Sequence, residues 1–559
     1  MISFFLTRIL LPVCLLASLS LYASDHPRRH AIASAHPLAT KAGMEILDEG
    51  GNAFDAAVTV AAVLSVVVPY SSGMGGGGFW LLHDAVNGKQ VMVDGRERAP
   101  FAAHENMYLD ESGDVIQGLS IKGALSAGIP GQVAALIHIN QKYGSKPLAR
   151  LFRPAIKLAR KGFPVNPEYQ RLASFRLAAL QEDQRAAEIF LDDNEIPEIG
   201  YVLKQSDLAG TLEKIANTRG EDFYSGDTAK RMVAAVRSAG GIWTLGDLAE
   251  YRVIEREPVT FGWREMKITS ASLPSSGGVV LATMFNILKT QAWDTLDDMQ
   301  RVHLVIEAMR RAYRDRAVYL GDSDHVEVPV DYLVSQQHAN LLAGDIRLDM
   351  ATASHSLKKV PVKPSEGQDT THYSILDRDG NRVAATLSLN YPFGSGFVAG
   401  DTGVLLNDEM DDFSSRPGAP NAYGLVGGQA NAIAPGKRML SSMSPTFVET
   451  KEKIAILGTP GGSRIITMVM QVILALASEK NAGSIVDQPR YHHQYLPDRV
   501  QLEPGALSEE VRQDLSMMGH ELKLLERPFG NMQVIIKDKK SGRIDAASDQ
   551  RGIGLSVVE

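Results

Sequence analysis

A charged segment with two prolines in the second half of the chain runs directly into two strand-like stretches joined by an Asp-Gly turn. Residues 358–367 follow neither the helical nor the strand period, and proline breaks both hydrogen-bond ladders, so this segment is predicted to be an exposed loop. Residues 370–376 and 383–389 are rich in strand formers, which predicts an antiparallel hairpin. Its geometry returns Ser388 to within about one residue of Thr370. The sequence therefore predicts two neighbouring hydroxyl side chains at the open end of the hairpin.

Helical and strand-like patterns alternate in the first half of the chain. Residues 38–47 have helical spacing and end before a Gly-Gly pair, the expected place for a left-handed cap. Residues 56–68 are apolar but shorter than the roughly 18 to 20 residues that crossing a bilayer takes, which predicts a buried helix. A third helix is predicted to begin at Pro154 and to end before Gly162. Strand-like runs between the helices are residues 79–82 and 90–93. The mixture predicts an α+β protein.

The composition excludes some classes of function. With 57 Lys and Arg against 65 Asp and Glu, the net charge is -8, and no basic stripe points to nucleic acid. The single cysteine, Cys14, lies in an N-terminal segment typical of a secretion signal, with Arg8 before the apolar residues 9–21. We expect a signal peptide over residues 1–24, export to the periplasm or the medium, and a mature protein without disulfides. A lipid anchor on Cys14 and an uncleaved membrane anchor are the alternatives.

Two glycine clusters differ in what they predict. Residues 454–457 are predicted to form a buried strand, residues 458–462 a tight turn and residues 463–478 an apolar helix. Because Pro460 has no N–H, Gly461 and Gly462 are the available donors at the helix N-terminus, where the dipole favours negative charge. A phosphate cradle is rejected since the Lys and Thr of a P-loop do not follow. Residues 73–78 have dinucleotide-binding spacing, but they follow a helix and precede a strand, so a nicotinamide or flavin cofactor is rejected.

These features lie within ordered blocks of sequence that resemble γ-glutamyltranspeptidases, members of the N-terminal nucleophile hydrolase superfamily. The run from Thr370 to Ser374, followed by the Asp-Gly turn, resembles the start of that family's small subunit. The resemblance extends along nearly the whole chain after the signal. The other blocks are residues 36–39, 50–57, 71–78, 94–100, 274–278, 410–413, 441–445 and 458–464.

The resemblance implies a precursor that cuts itself between Asp369 and Thr370. A large subunit of residues 25–369 and a small catalytic subunit of residues 370–559 would stay associated. The implied fold is a four-layer αββα sandwich, with two stacked antiparallel sheets between helical layers. A free α-amino group has a pKa of about 7.7 to 8.0, so cleavage would give the threonine its own general base. A lone threonine opening a strand is commonplace, and only the surrounding blocks give it this meaning.

The resemblance also assigns the site residues. Thr370 would be the nucleophile, and Gly461 with Gly462 would form the oxyanion hole. Ser388 stands where the family's common pattern has a second threonine that orients the nucleophile. Serine keeps the hydroxyl but loses the methyl that restricts its rotamer, so we expect activity with slower self-cleavage. The residues that match substrate-binding positions of the family are Arg96, Asn390, Glu409, Asp412, Tyr423, Ser441 and Ser442.

The chemistry of these residues suits an amino acid. The planar fork of Arg96 fits an α-carboxylate, whereas Glu409 and Asp412 can accept from an α-ammonium. By itself the Glu-Met-Asp-Asp run would more often be a solvated acidic loop. Residues 416–424 resemble a lid loop in which Tyr423 is the aromatic gate, which favours a γ-glutamyl donor over a cephalosporin side chain.

No metal or cofactor is expected. His492 and His493 are adjacent, so on a strand they point to opposite faces, and no zinc-type spacing accompanies them. His372 is expected to pack or to form hydrogen bonds, not to act as a base.

The implied function is transfer of the γ-glutamyl group of glutathione and related amides, through a threonyl ester, to water, amino acids or peptides. Two alternatives stay open. One is a cephalosporin acylase of the same superfamily that acts on glutaryl-type side chains, and the other is an uncleaved, non-catalytic exported protein that binds amino acids.

Overall fold

The computed structural model describes residues 29–357, 370–478 and 480–559. The expected signal peptide, the loop before the predicted cleavage site and Asp369 lie outside these ranges. The helices are α1 (Pro37–Asp48), α2 (Ala53–Val67), α3 (Gln132–Tyr143), α4 (Leu148–Lys161), α5 (Pro167–Glu182), α6 (Gln184–Phe190), α7 (Ser206–Thr218), α8 (Glu221–Tyr224), α9 (Asp227–Ser238), α10 (Leu245–Ala249), α11 (Gly277–Leu288), α12 (Asp298–Tyr319), α13 (Val330–Leu333), α14 (Gln336–Ala343), α15 (Ile465–Leu476), α16 (Ala482–Asp487) and α17 (Glu509–Met517).

The strands alternate with these helices along the chain. They are β1 (Ala31–Ser34), β2 (Gly77–Asp84), β3 (Lys89–Gly95), β4 (Phe163–Pro164), β5 (Val202–Leu203), β6 (Ile254–Arg256), β7 (Val259–Trp263), β8 (Met266–Ser270), β9 (Thr371–Leu376), β10 (Arg382–Ser388), β11 (Thr446–Glu449), β12 (Lys453–Gly458), β13 (Tyr491–His492), β14 (Val500–Leu502), β15 (Leu522–Leu524), β16 (Gln533–Asp538), β17 (Ile544–Ser548) and β18 (Leu555–Val558).

Two antiparallel sheets form the centre of the molecule. The first sheet has the order β18-β1-β9-β10-β2-β3-β6, and the second has the order β17-β16-β12-β11-β8-β7. Their facing sides meet in an apolar layer to which Leu81 and Ala384 contribute from the first sheet and Phe447 and Ile456 from the second. Helices α1, α2 and α3 cover the outer face of the first sheet, and α11, α15 and α16 cover that of the second. The predicted αββα sandwich is confirmed.

The predicted hairpin is β9 and β10. Thr371 pairs with Leu387 across the hairpin, so Ser388 lies opposite Thr370, as expected from the turn. Side chains alternate along β9: Tyr373 packs in the helical layer, whereas His372 reaches towards the second sheet, where its ring lies against Gly458. The hairpin is therefore buried on both faces, which holds its open end in place.

The largest difference between a predicted and an observed helix boundary in the first half concerns the third predicted helix. The helix expected to begin at Pro154 begins at Leu148, and the proline lies inside α4. Its apolar stripe, with Leu151, Phe152 and Ala155 buried, continues through the proline. Burial of that stripe outweighs the one backbone hydrogen bond that proline removes. The predicted helices at 38–47 and 56–68 and the strands at 79–82 and 90–93 are confirmed as α1, α2, β2 and β3.

Both sheets combine strands from before and after Thr370. Strands β1, β2, β3 and β6 of the first sheet come from the earlier part, and β9, β10 and β18 come from the later part. In the second sheet β7 and β8 belong to the earlier part. Separating the two parts would expose both sheets, so a cut before Thr370 would leave them associated. Among the described helices, none combines the length and apolar character needed to cross a bilayer.

Candidate active site

The two predicted hydroxyls lie at the open end of the central hairpin. Thr370 directly precedes β9 and is 6% exposed, and Ser388 ends β10. The Ser388 hydroxyl accepts a hydrogen bond from the Asn390 backbone N–H over 2.7 Å and is also hydrogen-bonded to the Glu409 carboxylate. Asn390 has a positive φ of 79°, a conformation that asparagine tolerates better than most residues. These contacts link the end of the hairpin to residues 409–412, here called the acidic segment.

Ten of the eleven predicted site residues line one narrow space, here called the donor cavity. Its volume is about 20 Å³, room for little more than one water molecule. The predicted residues that line it are Arg96, Thr370, Ser388, Asn390, Glu409, Asp412, Tyr423, Ser441, Ser442 and Gly462. The eleventh, Gly461, lines a neighbouring cavity together with Thr370. The structure thus brings all the predicted residues around the threonine.

The two glycines of the turn have backbone conformations that other residues rarely adopt. Gly461 and Gly462 have φ values of 136° and 55°, which favour glycine. A Cβ atom on Gly462 would lie 2.3 Å from Cδ1 of Tyr423, so no other residue fits there. Within the described ranges, neither N–H donates a hydrogen bond. The predicted helix begins two residues late, at Ile465, because Gly462–Arg464 form a short 3-10 turn.

A buried arginine holds the acidic segment. Nη1 of Arg96 lies 2.5 Å from Oε2 of Glu409, and Nη2 donates to Oδ2 of Asp412 over 2.6 Å. The arginine is fully buried, which by itself lowers its pKa, but the negative charges of Glu409, Asp412 and Glu97 raise the pKa and keep the group charged. Glu97 is also buried, and its Oε2 lies 3.7 Å from the same Nη1. Burial raises the pKa of Glu97, and the negative charge of Glu409 raises it further.

Burial also changes the acidity of the neighbouring carboxyl groups. It raises the pKa of Glu409, an effect that the nearby Arg96 guanidinium opposes. Burial raises the pKa of Asp411 to about 7. Asp411 accepts from the Ala422 N–H over 2.8 Å and from the Ser120 hydroxyl over 2.7 Å. Asp411 therefore anchors the lid and does not line the donor cavity.

The predicted lid is closed over the donor cavity. The Tyr423 hydroxyl donates to the Asn390 carbonyl over 2.5 Å, and its ring is almost fully buried. The Asn421 amide donates to Oδ1 of Asp412 over 2.8 Å. Because the remaining cavity is so small, a ligand the size of an amino acid enters only when residues 416–424 move.

A second buried arginine stands behind the serine pair and was missed by sequence reasoning. Nε of Arg316 donates to the Ser276 hydroxyl over 3.0 Å, and Nη2 donates to the Ser442 hydroxyl over 3.3 Å. Burial lowers the pKa of Arg316, and among the described residues no carboxylate forms an ion pair with it. Ser441 is fixed by its backbone N–H, which donates to the Pro274 carbonyl over 2.8 Å. The donor cavity is thus lined by one guanidinium group, that of Arg96, and by the two serines, while Arg316 contacts Ser442 from outside the lining.

The histidines have structural partners. His372 hydrogen-bonds Thr386 over 2.8 Å, and burial lowers its pKa to about 3, which leaves it neutral. His492 contacts Thr467 over 2.8 Å, and His493 contacts Asp498 over 3.2 Å.

Among the described residues, one buried trio could approach a metal ion, namely His303, Glu307 and His520. Its two histidines share a hydrogen bond of 2.8 Å. Glu307 pairs with Arg310 and Arg311, whose positive charges oppose a cation. This trio is better suited to an internal hydrogen-bond network than to a metal.

Comparisons with known proteins identify the family. The sequence model of the family described as gamma-glutamyltranspeptidase matches residues 39–558. The glutathione hydrolase proenzyme of Pseudomonas sp. (strain A14) is 43% identical over 493 residues, covering 87% of this chain and 85% of the relative. The glutathione hydrolase proenzyme of Escherichia coli (strain K12) is 40% identical over 539 residues, covering 94% of this chain and 92% of the relative.

Comparison with solved structures gives the same fold. The cephalosporin acylase of Bacillus halodurans superposes with a TM-score of 0.83 at 28% identity, covering 95% of this chain and 96% of the other. The match to the family extends over nearly the whole sequence and includes every predicted site residue. This chain belongs to the γ-glutamyltranspeptidase family.

Proposed function

We propose that the chain is a self-cleaving γ-glutamyltransferase and glutathione hydrolase whose nucleophile is Thr370. The observation that carries the proposal is the position of Thr370, which forms part of the wall of the charged donor cavity and lies opposite Ser388. Cleavage between Asp369 and Thr370 releases the α-amino group beside the hydroxyl that it deprotonates. The products are the large subunit, residues 25–369, and the small subunit, residues 370–559.

The mechanism follows from the groups around the threonine. The Thr370 hydroxyl loses its proton to its own α-amine and attacks the γ-carbonyl carbon of the donor. The N–H groups of Gly461 and Gly462 stabilise the oxyanion. The protonated amine then returns the proton to the leaving nitrogen as the amide bond breaks. Water or an acceptor amine attacks the resulting ester, and Thr370 regains its proton.

The charges of the donor cavity support a γ-glutamyl donor. Arg96, with Ser441 and Ser442, would hold the α-carboxylate, and Glu409 with Asp412 would hold the α-ammonium. Each buried charge on the protein then meets an opposite charge on the ligand, which offsets the cost of burial. Asn390 adds a neutral contact.

A glutaryl-amide acylase is the second candidate, because the Bacillus halodurans structure carries the name cephalosporin acylase. A glutaryl group has no α-ammonium, so Glu409 and Asp412 would lack a cationic partner on the ligand. We expect γ-glutamyl-p-nitroanilide to be hydrolysed much faster than glutaryl-p-nitroanilide. Equal rates on the two anilides would favour the acylase.

A matched pair of variants tests the nucleophile. Thr370→Val and Thr371→Val each replace a hydroxyl by a methyl group at constant shape. Among the described residues the Thr371 hydroxyl is buried without a hydrogen-bond partner, so its loss is tolerated. On a denaturing gel, the wild type and Thr371→Val should give two fragments, the smaller one beginning at residue 370. The Thr370→Val chain should stay whole and inactive.

The same gel tests the non-catalytic alternative. A wild-type chain that stays whole and does not hydrolyse glutathione would contradict the proposed enzymatic function. It would favour a protein that only binds amino acids. The N-terminal pattern supports export to the periplasm or the medium, which fractionation of cells that express the full chain would test.

A further inference from the structure

Thr370 forms part of the wall of two cavities, not one. One of them is the donor cavity. The second, here called the outer cavity, has a volume of about 70 Å³ and is also lined by Gly461 of the glycine turn. Acyl transfer needs room for the acyl group on one side of the nucleophile and for the departing or arriving amine on the other. Its lining residues include Thr370, Gly461, Glu168, Arg171, Tyr70 and Ser71.

The charge of the outer cavity is concentrated on helix α5. Glu168 and Arg171 are the only charged side chains among its described lining residues. The Glu168 carboxylate accepts from Nε of Arg171 over 2.9 Å and from Nη2 over 2.5 Å. This two-point contact fixes the plane of a guanidinium group whose side chain is 46% exposed. A fixed guanidinium loses little freedom when it binds a carboxylate.

We propose that the outer cavity binds the amine partner of the reaction and that Arg171 recognises its carboxylate. The ligand class is an amino acid or short peptide with a free carboxylate, either leaving the donor or accepting the γ-glutamyl group. This inference rests on the proposed function. The acceptor nitrogen forms a bond to the γ-carbonyl carbon, the ester bond to Thr370 breaks, and the proton from the nitrogen passes to the threonine oxygen.

When an acceptor binds to the γ-glutamyl ester of Thr370, the complex holds two carboxylates, which require two separate cations. Arg96 is buried and lines the donor cavity but not the outer cavity. Arg171 lines the outer cavity but not the donor cavity. Water needs no such contact, so Arg171 would raise the rate of transfer relative to hydrolysis for acceptors that carry a carboxylate.

The test compares two acceptors with one donor. Transfer from γ-glutamyl-p-nitroanilide is measured with glycylglycine and with glycylglycinamide, which lacks only the carboxylate charge. In the wild type we expect kcat/KM to favour glycylglycine by at least about tenfold, and in Arg171→Gln we expect this preference to fall to within about twofold. The preference is a ratio within one preparation, so a partly unfolded sample does not change it.

Arg185→Gln is the matched control, because Arg185 forms a similar exposed pair with Glu188 three residues away and is not among the lining residues of the outer cavity. Its preference should equal that of the wild type. A preference retained in Arg171→Gln, or absent from the wild type, would overturn the assignment of Arg171. A wild type that does not hydrolyse the anilide at all would instead overturn the proposed function, and this inference with it.

Discussion

Nη1 of Arg96 lies 2.5 Å from Oε2 of Glu409, deep in the donor cavity. The group proposed for the donor's α-carboxylate is thus paired directly with a group proposed for its α-ammonium. A zwitterionic donor can replace this ion pair with two new pairs, one between its carboxylate and Arg96 and one between its ammonium and Glu409. No buried charge is then left without a partner during binding. We therefore expect the cavity to select ligands that carry both charges.

The first prediction concerns Arg96→Lys. Lysine keeps the charge but loses the planar fork, so kcat/KM for γ-glutamyl-p-nitroanilide should fall about 10- to 100-fold, mainly through KM. The control is 4-aminobutyryl-p-nitroanilide, which keeps the ammonium and lacks the α-carboxylate. Steady-state kinetics should show a much smaller loss on this analogue. An equal loss on both anilides would mean that Arg96 does not act by binding the α-carboxylate.

The second prediction concerns Ser388, which lies opposite the nucleophile. Threonine at this position restricts the rotamer of the hydroxyl, so Ser388→Thr should cleave itself roughly two- to tenfold faster. Ser388→Ala should be slower than both because it has no hydroxyl. The appearance of the two fragments after synthesis in a cell-free extract measures the rates. Identical rates for serine and threonine would show that the missing methyl has no effect.

The hairpin shows what local sequence could predict. Strand formers on both sides of an Asp-Gly turn determine its register, and that register places Ser388 opposite Thr370. The ordered sequence blocks indicate the other polar residues that line the donor cavity, but not the apolar Leu425 and Ile465. The hairpin depends on contacts between residues that are close in sequence, and the other site residues lie in recognisable sequence motifs.

Arg316 shows what the sequence could not predict. It lies inside α12 among other charged residues, and no local pattern separates it from them. Its contacts are with Ser276 and Ser442, which are distant in the chain and come together only in the folded protein. The boundary of α4 was missed for a related reason, since packing of its apolar stripe overrides the local preference of Pro154.

The third prediction follows from the contact of Arg316 with Ser442. Arg316→Gln should raise KM for the donor about tenfold, because the serine hydroxyl loses the partner that orients it. Adding Ser442→Ala to this variant should cost less than it costs in the wild type, since the two residues act together. Arg301→Gln, in an exposed part of the same helix, is the control and should leave KM unchanged. Fully additive effects would contradict the coupling.

The last prediction uses the buried His372, whose pKa burial lowers to about 3. Its ordinary pKa of about 6.5 applies in the unfolded chain, so below pH 6.5 the unfolded state takes up a proton that the folded state does not. Stability is therefore lost as the pH falls from about 6.5 towards 3, by up to about 1.4 kcal/mol per pH unit for this group.

His372→Gln removes this titration. At pH 7 the variant should be less stable than its parent, because it loses the hydrogen bond with Thr386. The difference should shrink as the pH falls, since only the parent carries the histidine. Urea unfolding at pH 7, 6 and 5 measures it, with both proteins made in the Thr370→Val background so that each is a single chain. A difference that stays constant with pH would mean that His372 takes up its proton equally in the folded and unfolded states.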